Sequence, residues 1–188
     1  IYRTLPNMTV IHPCDDVSAK SLTLALRHHD QPSYMRTARN KVTRAYSEES
    51  VKDLKIGKGH VHRTGSDVAI IACGVMLNEA LVAADQLAKS GVQATVVDMH
   101  TIKPLDSELV TKLAKECGAI VTAEDHSIIG GLGGAVAECI VSEQPVPMER
   151  VGVQDRFGES GGSDELLEML NMKAADIVNA ANNAIARR

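Results

Sequence analysis

Apolar and polar positions along this chain fall into blocks whose period changes. The stretch "DVAIIACG" carries an apolar run too short for a helix and closed by Gly, which predicts a buried strand, and "QATVVDM", "AIVTAED" and "MERVGV" read as strands as well. Between them lie helical patterns. "MLNEALVAADQLAKSG" spaces Leu77, Leu81, Ala84 and Leu87 at helical intervals and ends at Gly91. "LDSELVTKLAKECG" offers Asp106 or Ser107 as cap, Glu108 in its first turn and Gly118 at its end. "GLGGAVAECIVSE" follows the third strand, and "SDELLEML" and "ADIVNAANNAIA" close the chain as helices. Strand and helix alternate with short connections, which predicts a three-layer α/β/α domain with a mostly parallel sheet.

Ahead of this domain stands a partial α/β unit. "MTVIHP" reads as a strand through Met8, Val10 and Ile11, closed by Pro13. "CDDVSAKSLTLALRHHD" reads as a helix capped by Asp15 or Asp16, with Val17, Leu22, Leu24, Ala25 and Leu26 as its apolar face. "PSYMRTAR" reads as a second strand. Strand, helix and strand make one parallel unit, too little to close a sheet with both faces covered. The missing partners are therefore expected upstream of Ile1 or on another chain. Between Asn40 and Ser66 the periodicity fades into a charged stretch with three glycines. It reads as a linker with a short edge strand near His60 to Arg63.

Composition narrows the function classes. A chain of 188 residues with 44% hydrophobic and 23% charged residues is an ordinary globular protein with a sizeable core. A net charge of -4 and an absence of Trp, with one Phe and three Tyr, argue against nucleic acid, which needs basic surface and stacking rings. No apolar run reaches the roughly 18 residues of a membrane span, and "IYRTLPNMTV" lacks the layout of a signal peptide. The cysteines Cys14, Cys73, Cys117 and Cys139 form no C-x-x-C pair and read as free thiols in a reducing compartment.

Two stretches raise chemistry. "GGLGG", Gly130 to Gly134, stands between a strand and a helix, where phosphate loops occur. Its spacing is not G-x-G-x-x-G, it follows the third strand rather than the first, and no Lys–Ser/Thr pair follows. A tight packing turn is the favoured reading, with an anion at the helix N-terminus and a subunit contact as the others. Just before it, Glu124, Asp125 and His126 end a strand, where α/β ligand sites form. Consecutive strand residues face opposite ways, so the three cannot all converge on one metal or acid–base site. Hydrogen bonding across an interface is the preferred role.

The blocks "LPNMTVIHPCDD", "PSYMRTAR", "TGSDVAIIACGVMLNEALVAADQLAKSGVQATVVDMHTIKPLD", "AIVTAEDHSIIGGLGGAVAE" and "VGVQDRFGESG", in this order, resemble the C-terminal part of transketolase-like enzymes. "DRFGESG" is most similar to transketolase itself, above all to the split form whose C-terminal section is a separate polypeptide. The resemblance implies that residues 1–43 are the last third of a pyrimidine-binding domain, 44–65 a linker and 66–188 the transketolase C-terminal domain. It implies transfer of a two-carbon ketol unit between sugar phosphates in the pentose phosphate pathway, in the cytoplasm. Thiamine diphosphate and Mg²⁺ would be held by residues outside this chain, which alone would be inactive. Partners would be an N-terminal transketolase section, a second copy in a homodimer and the sugar phosphate, with neither nucleic acid nor membrane. Arg39 falls on the position that binds the substrate phosphate in the family, and a guanidinium suits that anion. Arg36 is the second candidate, an odd number of residues away and so facing the other side. Glu124, His126, Gly130, Gly131 and Gly133 would lie at an interface, while His12, His28 and His29 would be structural or solvent-facing. Deoxyxylulose-phosphate synthase and the β subunits of 2-oxo-acid dehydrogenases share the layout and are the enzymatic alternatives. A non-catalytic assembly or regulatory module is the alternative of another class.

Overall fold

The structure, a computed structural model, describes residues 1–39 and 41–188, the side chain of Asp53 excepted. Asn40, where the expected linker begins, lies outside the described residues.

The opening unit forms as its pattern predicts. Strand β1 (Thr9–Ile11), helix α1 (Asp16–Leu26) and strand β2 (Ser33–Met35) follow in order, and the two strands pair in parallel, Val10 opposite Tyr34. Asp15 caps α1: its carboxylate accepts the Ser18 amide at 2.7 Å. Val17 and Leu22 are buried, but Leu24 is exposed, contrary to the expected apolar face. Leu24 is two residues beyond Leu22, which on a helix is the opposite side.

The larger unit contains β3 (His60–Arg63), β4 (Val68–Ala72), α2 (Met76–Lys89), β5 (Ala94–Asp98), β6 (Thr101–Lys103), α3 (Ser107–Cys117), β7 (Ile120–Ser127), α4 (Leu132–Glu143), β8 (Met148–Val153), α5 (Ser163–Met169) and α6 (Ala174–Ile185). Five of these strands make one sheet in the order β3-β5-β4-β7-β8. It is parallel except for β3, an antiparallel edge strand on β5. The alternation inside β4 shows why its run is apolar throughout. Val68, Ile70 and Ala72 pack on one side with Leu77, Leu87, Ile177 and Ala181 of α2 and α6. Ala69 and Ile71 pack on the other with Val110, Leu113, Val136 and Ile140 of α3 and α4. This is the three-layer α/β/α arrangement.

Between "QATVVDM" and the next helix no local pattern marks β6, which is a strand that the periodicity does not predict. This strand leaves the large sheet and pairs antiparallel with β1, giving a second sheet in the order β2-β1-β6. One partner of the opening unit thus comes from within the chain, which corrects the expectation that its partners lie upstream or elsewhere. Three residues show no period of their own, and a pairing so distant in sequence leaves no local trace.

His12, just after β1, wedges the two sheets together. It is 4% exposed, its amide donates to the His100 carbonyl at 2.7 Å, and its carbonyl accepts the Gly74 amide. Gly74 has φ +57°, and a Cβ there would lie 2.2 Å from the imidazole. Both facts require glycine. Tyr46 fastens the intervening stretch: its amide donates to Asp15, and its hydroxyl donates to Asp98 at 2.8 Å. Cys14, Cys73 and Cys117 are buried free thiols and Cys139 is half-buried.

Candidate functional site

The glycine turn is built around a carboxylate of its own chain. An α-helix begins with amides that have no partner inside the helix, and Gly131, at the cap position of α4, has no side chain to supply one. Glu124, near the end of β7, reaches across instead. Its carboxylate accepts the Leu132 amide at 2.8 Å and the Gly133 amide at 2.7 Å. A Cβ on Gly131 would sit 1.9 Å from a Glu124 oxygen, so glycine admits this carboxylate. Glu124 is 2% exposed, and burial pushes its carboxyl up against the pull of the two amides and His126. From outside, Arg3 donates to the Gly130 carbonyl at 2.9 Å and to Glu138 of α4 at 2.7 and 2.8 Å. The anion at this helix N-terminus is therefore Glu124, and the outer face of the turn meets the chain's own N-terminal segment.

Of the residues expected at an interface, Glu124, Gly131 and Gly133 are buried inside the chain, while His126 and Gly130 are exposed. His126 Nδ1 lies 2.7 Å from the Ser127 carbonyl and 3.8 Å from Glu124. His29 bonds the Thr9 hydroxyl at 2.7 Å and His28 is exposed, in keeping with structural or solvent-facing roles.

Arg36 and Arg39 line different cavities, but β2 ends at Met35, so both lie beyond the strand whose alternation was expected to separate them. Arg36 enters a cleft of about 250 Å³ between the two sheets, lined also by Tyr34, His12, Cys73 and Glu124. There its guanidinium donates to Asp125 at 2.9 Å. Within this cleft Cys73 Sγ lies 3.6 Å from His12 Nδ1, and His12 Nε2 lies 3.6 Å from Asp125. The row has the order of a thiol–imidazole–carboxylate site. Burial raises the thiol well above its ordinary value and lowers the imidazole to about 4, so both groups favour their neutral forms.

Arg39 lines a separate cavity of about 460 Å³ at the N-terminal end of α1, with Pro13, Asp15, Thr37, Lys41 and Arg44. Arg44 is paired with Asp16 at 2.8 Å, and Asp15 is engaged by the amides of Ser18, Ala45 and Tyr46. Among the described residues, neither Arg39 nor Lys41 makes an ion pair or side-chain hydrogen bond. Arg39, Lys41 and Arg44 outnumber Asp15 and Asp16 in this lining, and with Arg39 and Lys41 unpaired among the described residues the cavity is suited to an anion.

Thiamine diphosphate and Mg²⁺, which the resemblance implies, do not fit the residues present. The glycine turn ahead of α4 is filled by Glu124, and no group of three or more His, Cys, Asp or Glu among the described residues could hold a metal ion.

A three-layer α/β/α unit joined to a smaller three-stranded sheet places the chain among the α/β proteins. The chain belongs to the transketolase family: residues 57–177 match the family described as "Transketolase, C-terminal domain". It is similar to the 6-deoxy-6-sulfo-D-fructose transketolase subunit of Clostridium sp. (strain MSTE9), 44% identical over 100% of this chain and 58% of that protein. It is also similar to the 1-deoxy-D-xylulose-5-phosphate synthase of Syntrophotalea carbinolica, 38% identical over 96% of this chain and 29% of that protein. A solved structure described as "Split gene transketolase, inactive beta4 tetramer" superposes with a TM-score of 0.95 at 41% identity, over 100% of this chain and 61% of that one. The chain thus spans little more than half the length of its split-gene relatives. No helix among the described residues is long and apolar enough to cross a membrane.

Proposed function

We propose that this chain is the C-terminal section of an enzyme that transfers a two-carbon ketol unit between sugar phosphates. Residues 1–43 serve as the end of a pyrimidine-binding domain, 44–65 as linker and 66–188 as the C-terminal domain. An N-terminal partner supplies the sites for thiamine diphosphate and Mg²⁺, and the cofactor supplies the carbon chemistry there. This chain contributes orientation and charge. The observation that carries the reading is Arg39, a guanidinium without an ion-pair partner among the described residues, on the wall of a cavity of about 460 Å³. It holds the substrate phosphate by a bidentate pair, with Lys41 adding charge. His126 and Gly130 belong to a surface that meets a second copy. That the similar split-gene tetramer is described as inactive supports an inactive chain when alone.

The test joins this chain to its N-terminal partner and assays ketol transfer. Arg39→Ala should raise KM for an aldose phosphate by about tenfold to a hundredfold, and leave KM for the unphosphorylated aldose within about twofold. Equal changes for both substrates would refute the assignment. Identity to deoxyxylulose-phosphate synthases supports the second reading, which product analysis separates: a deoxyketose phosphate in place of a ketose phosphate.

A further inference from the structure

Arg39 stands on a short segment without regular structure, so its position depends on how the segment's ends are held. The ladder with β1 ends where the Arg36 amide donates to the Ile11 carbonyl at 2.9 Å. Thr37, Ala38 and Arg39 beyond it are exposed. Downstream, the Thr43 carbonyl accepts from Asn78 of α2 at 2.8 Å, and the amides of Ala45 and Tyr46 donate to Asp15 at 2.9 and 3.0 Å. Upstream the side-chain anchor is Arg36, whose Nη2 donates to Asp125 Oδ2 at 2.9 Å. Arg36 is 38% exposed and Asp125 19%, so the pair is partly shielded from water and is more than a loose surface contact. Asp125 in turn sits on β7 two residues past the end of its ladder with β4 at Ala123, within the stretch between Ala123 and Ser127 where the pairing with β8 shifts register.

We propose that Asp125 is a positioning residue for substrate phosphate, holding Arg36 and through it the segment that presents Arg39 to the cavity. The inference rests on the reading of Arg39 as the phosphate ligand. It assigns the larger α/β unit a part in substrate recognition, exercised from the cleft and not from the cavity: Arg36 lines the cleft between the sheets and Arg39 lines the cavity beside α1. Release of the Arg36 anchor frees one end of the segment, and a guanidinium that is no longer pre-positioned must be ordered on binding, which weakens its hold on a phosphate.

The experiment uses the enzyme reassembled from this chain and its N-terminal partner, with an aldose phosphate and the same aldose without its phosphate as probes. Asp125→Asn should raise KM for the phosphate ester about tenfold, with kcat and KM for the free aldose changed less than about twofold. Asp125→Glu should recover part of the loss. Arg36→Met, which breaks the same bond from its more exposed end, should give the same split, and the double variant should be no worse than Arg36→Met alone. An equal rise of KM for both probes, or no rise with either Asp125→Asn or Arg36→Met, would overturn the proposal. Arg39→Ala separates the two levels. If it removes the preference for the phosphate ester while Asp125→Asn and Arg36→Met do not, only the tether fails. If it leaves that preference intact, the reading of Arg39 fails and the tether falls with it.

Discussion

Removal of the Glu124 carboxylate tests how the glycine turn is held. In Glu124→Ala the amides of Leu132 and Gly133, now met at 2.8 and 2.7 Å, lose their acceptor at the buried start of α4. Hydrogen bonds to a charged group contribute about 1.5–3 kcal/mol each, and the helix dipole adds to the attraction. Burial of the carboxyl at 2% exposure works the other way, as its raised pKa shows. The balance is a loss of about 3 kcal/mol, on the scale of removing an acceptor from two buried donors. Glu124→Gln should lose about 2 kcal/mol, because its amide nitrogen would face one of the two N–H groups. Gly131→Ala should resemble Glu124→Ala, since its methyl would occupy the space 1.9 Å from the carboxylate oxygen. Urea denaturation of this chain at neutral pH, followed by circular dichroism, reads these differences as shifts in midpoint at constant slope. A loss below about 1 kcal/mol for Glu124→Ala would refute the reasoning, because two buried amides would then be satisfied without the carboxylate.

Gly74→Ala should destabilise by more than about 3 kcal/mol, since it combines left-handed backbone with a clash against His12, and His12→Ala in the same chain should recover part of the loss in the same denaturation assay. Asp98 is wholly buried, and burial pushes its carboxyl up from 3.8 to about 7 against the opposing Tyr46 hydrogen bond. A raised carboxyl contributes its stability in full below the unfolded value of 3.8 and loses it as pH rises through about 7. At 1.36 kcal/mol per pH unit over that interval, wild type should lose up to about 4 kcal/mol between pH 4 and 8, and Asp98→Asn should flatten that slope in urea melts across the range. Phe157 is 96% exposed, so Phe157→Ala should leave the stability of this chain within about 0.5 kcal/mol by the same melts.

The larger unit was legible because its central strands β4 and β5 and most of β7 are buried on both faces. Val68 to Ala72 can be apolar without interruption only when helices cover both sides, and the helical spacing of Leu77, Ala84 and Leu87 supplies one cover. Caps were equally local: Asp15 and Asp106 start their helices as their side chains predict. Pairings between distant segments were not legible. Nothing near Thr101 to Lys103 announces a strand whose partner is β1, and nothing near Tyr46 announces its bond to Asp98. The site divides in the same way. Arg36 and Arg39 do line different cavities, but the strand read from "PSYMRTAR" ends at Met35, so alternation along a strand is not what separates them. The glycine turn was legible as something other than a nucleotide loop, but its occupant was not. The available signal was an acid eight residues ahead of an uncapped helix start, which becomes meaningful only when β7 and α4 are known to lie side by side.

Calorimetric titration of this chain with thiamine diphosphate and Mg²⁺ tests the central claim most directly, that the cofactor's diphosphate site belongs to an N-terminal partner and the glycine turn here is closed by Glu124. No saturable heat is expected from this chain alone, with binding appearing once the N-terminal partner is added. Stoichiometric binding to the chain alone would contradict the account.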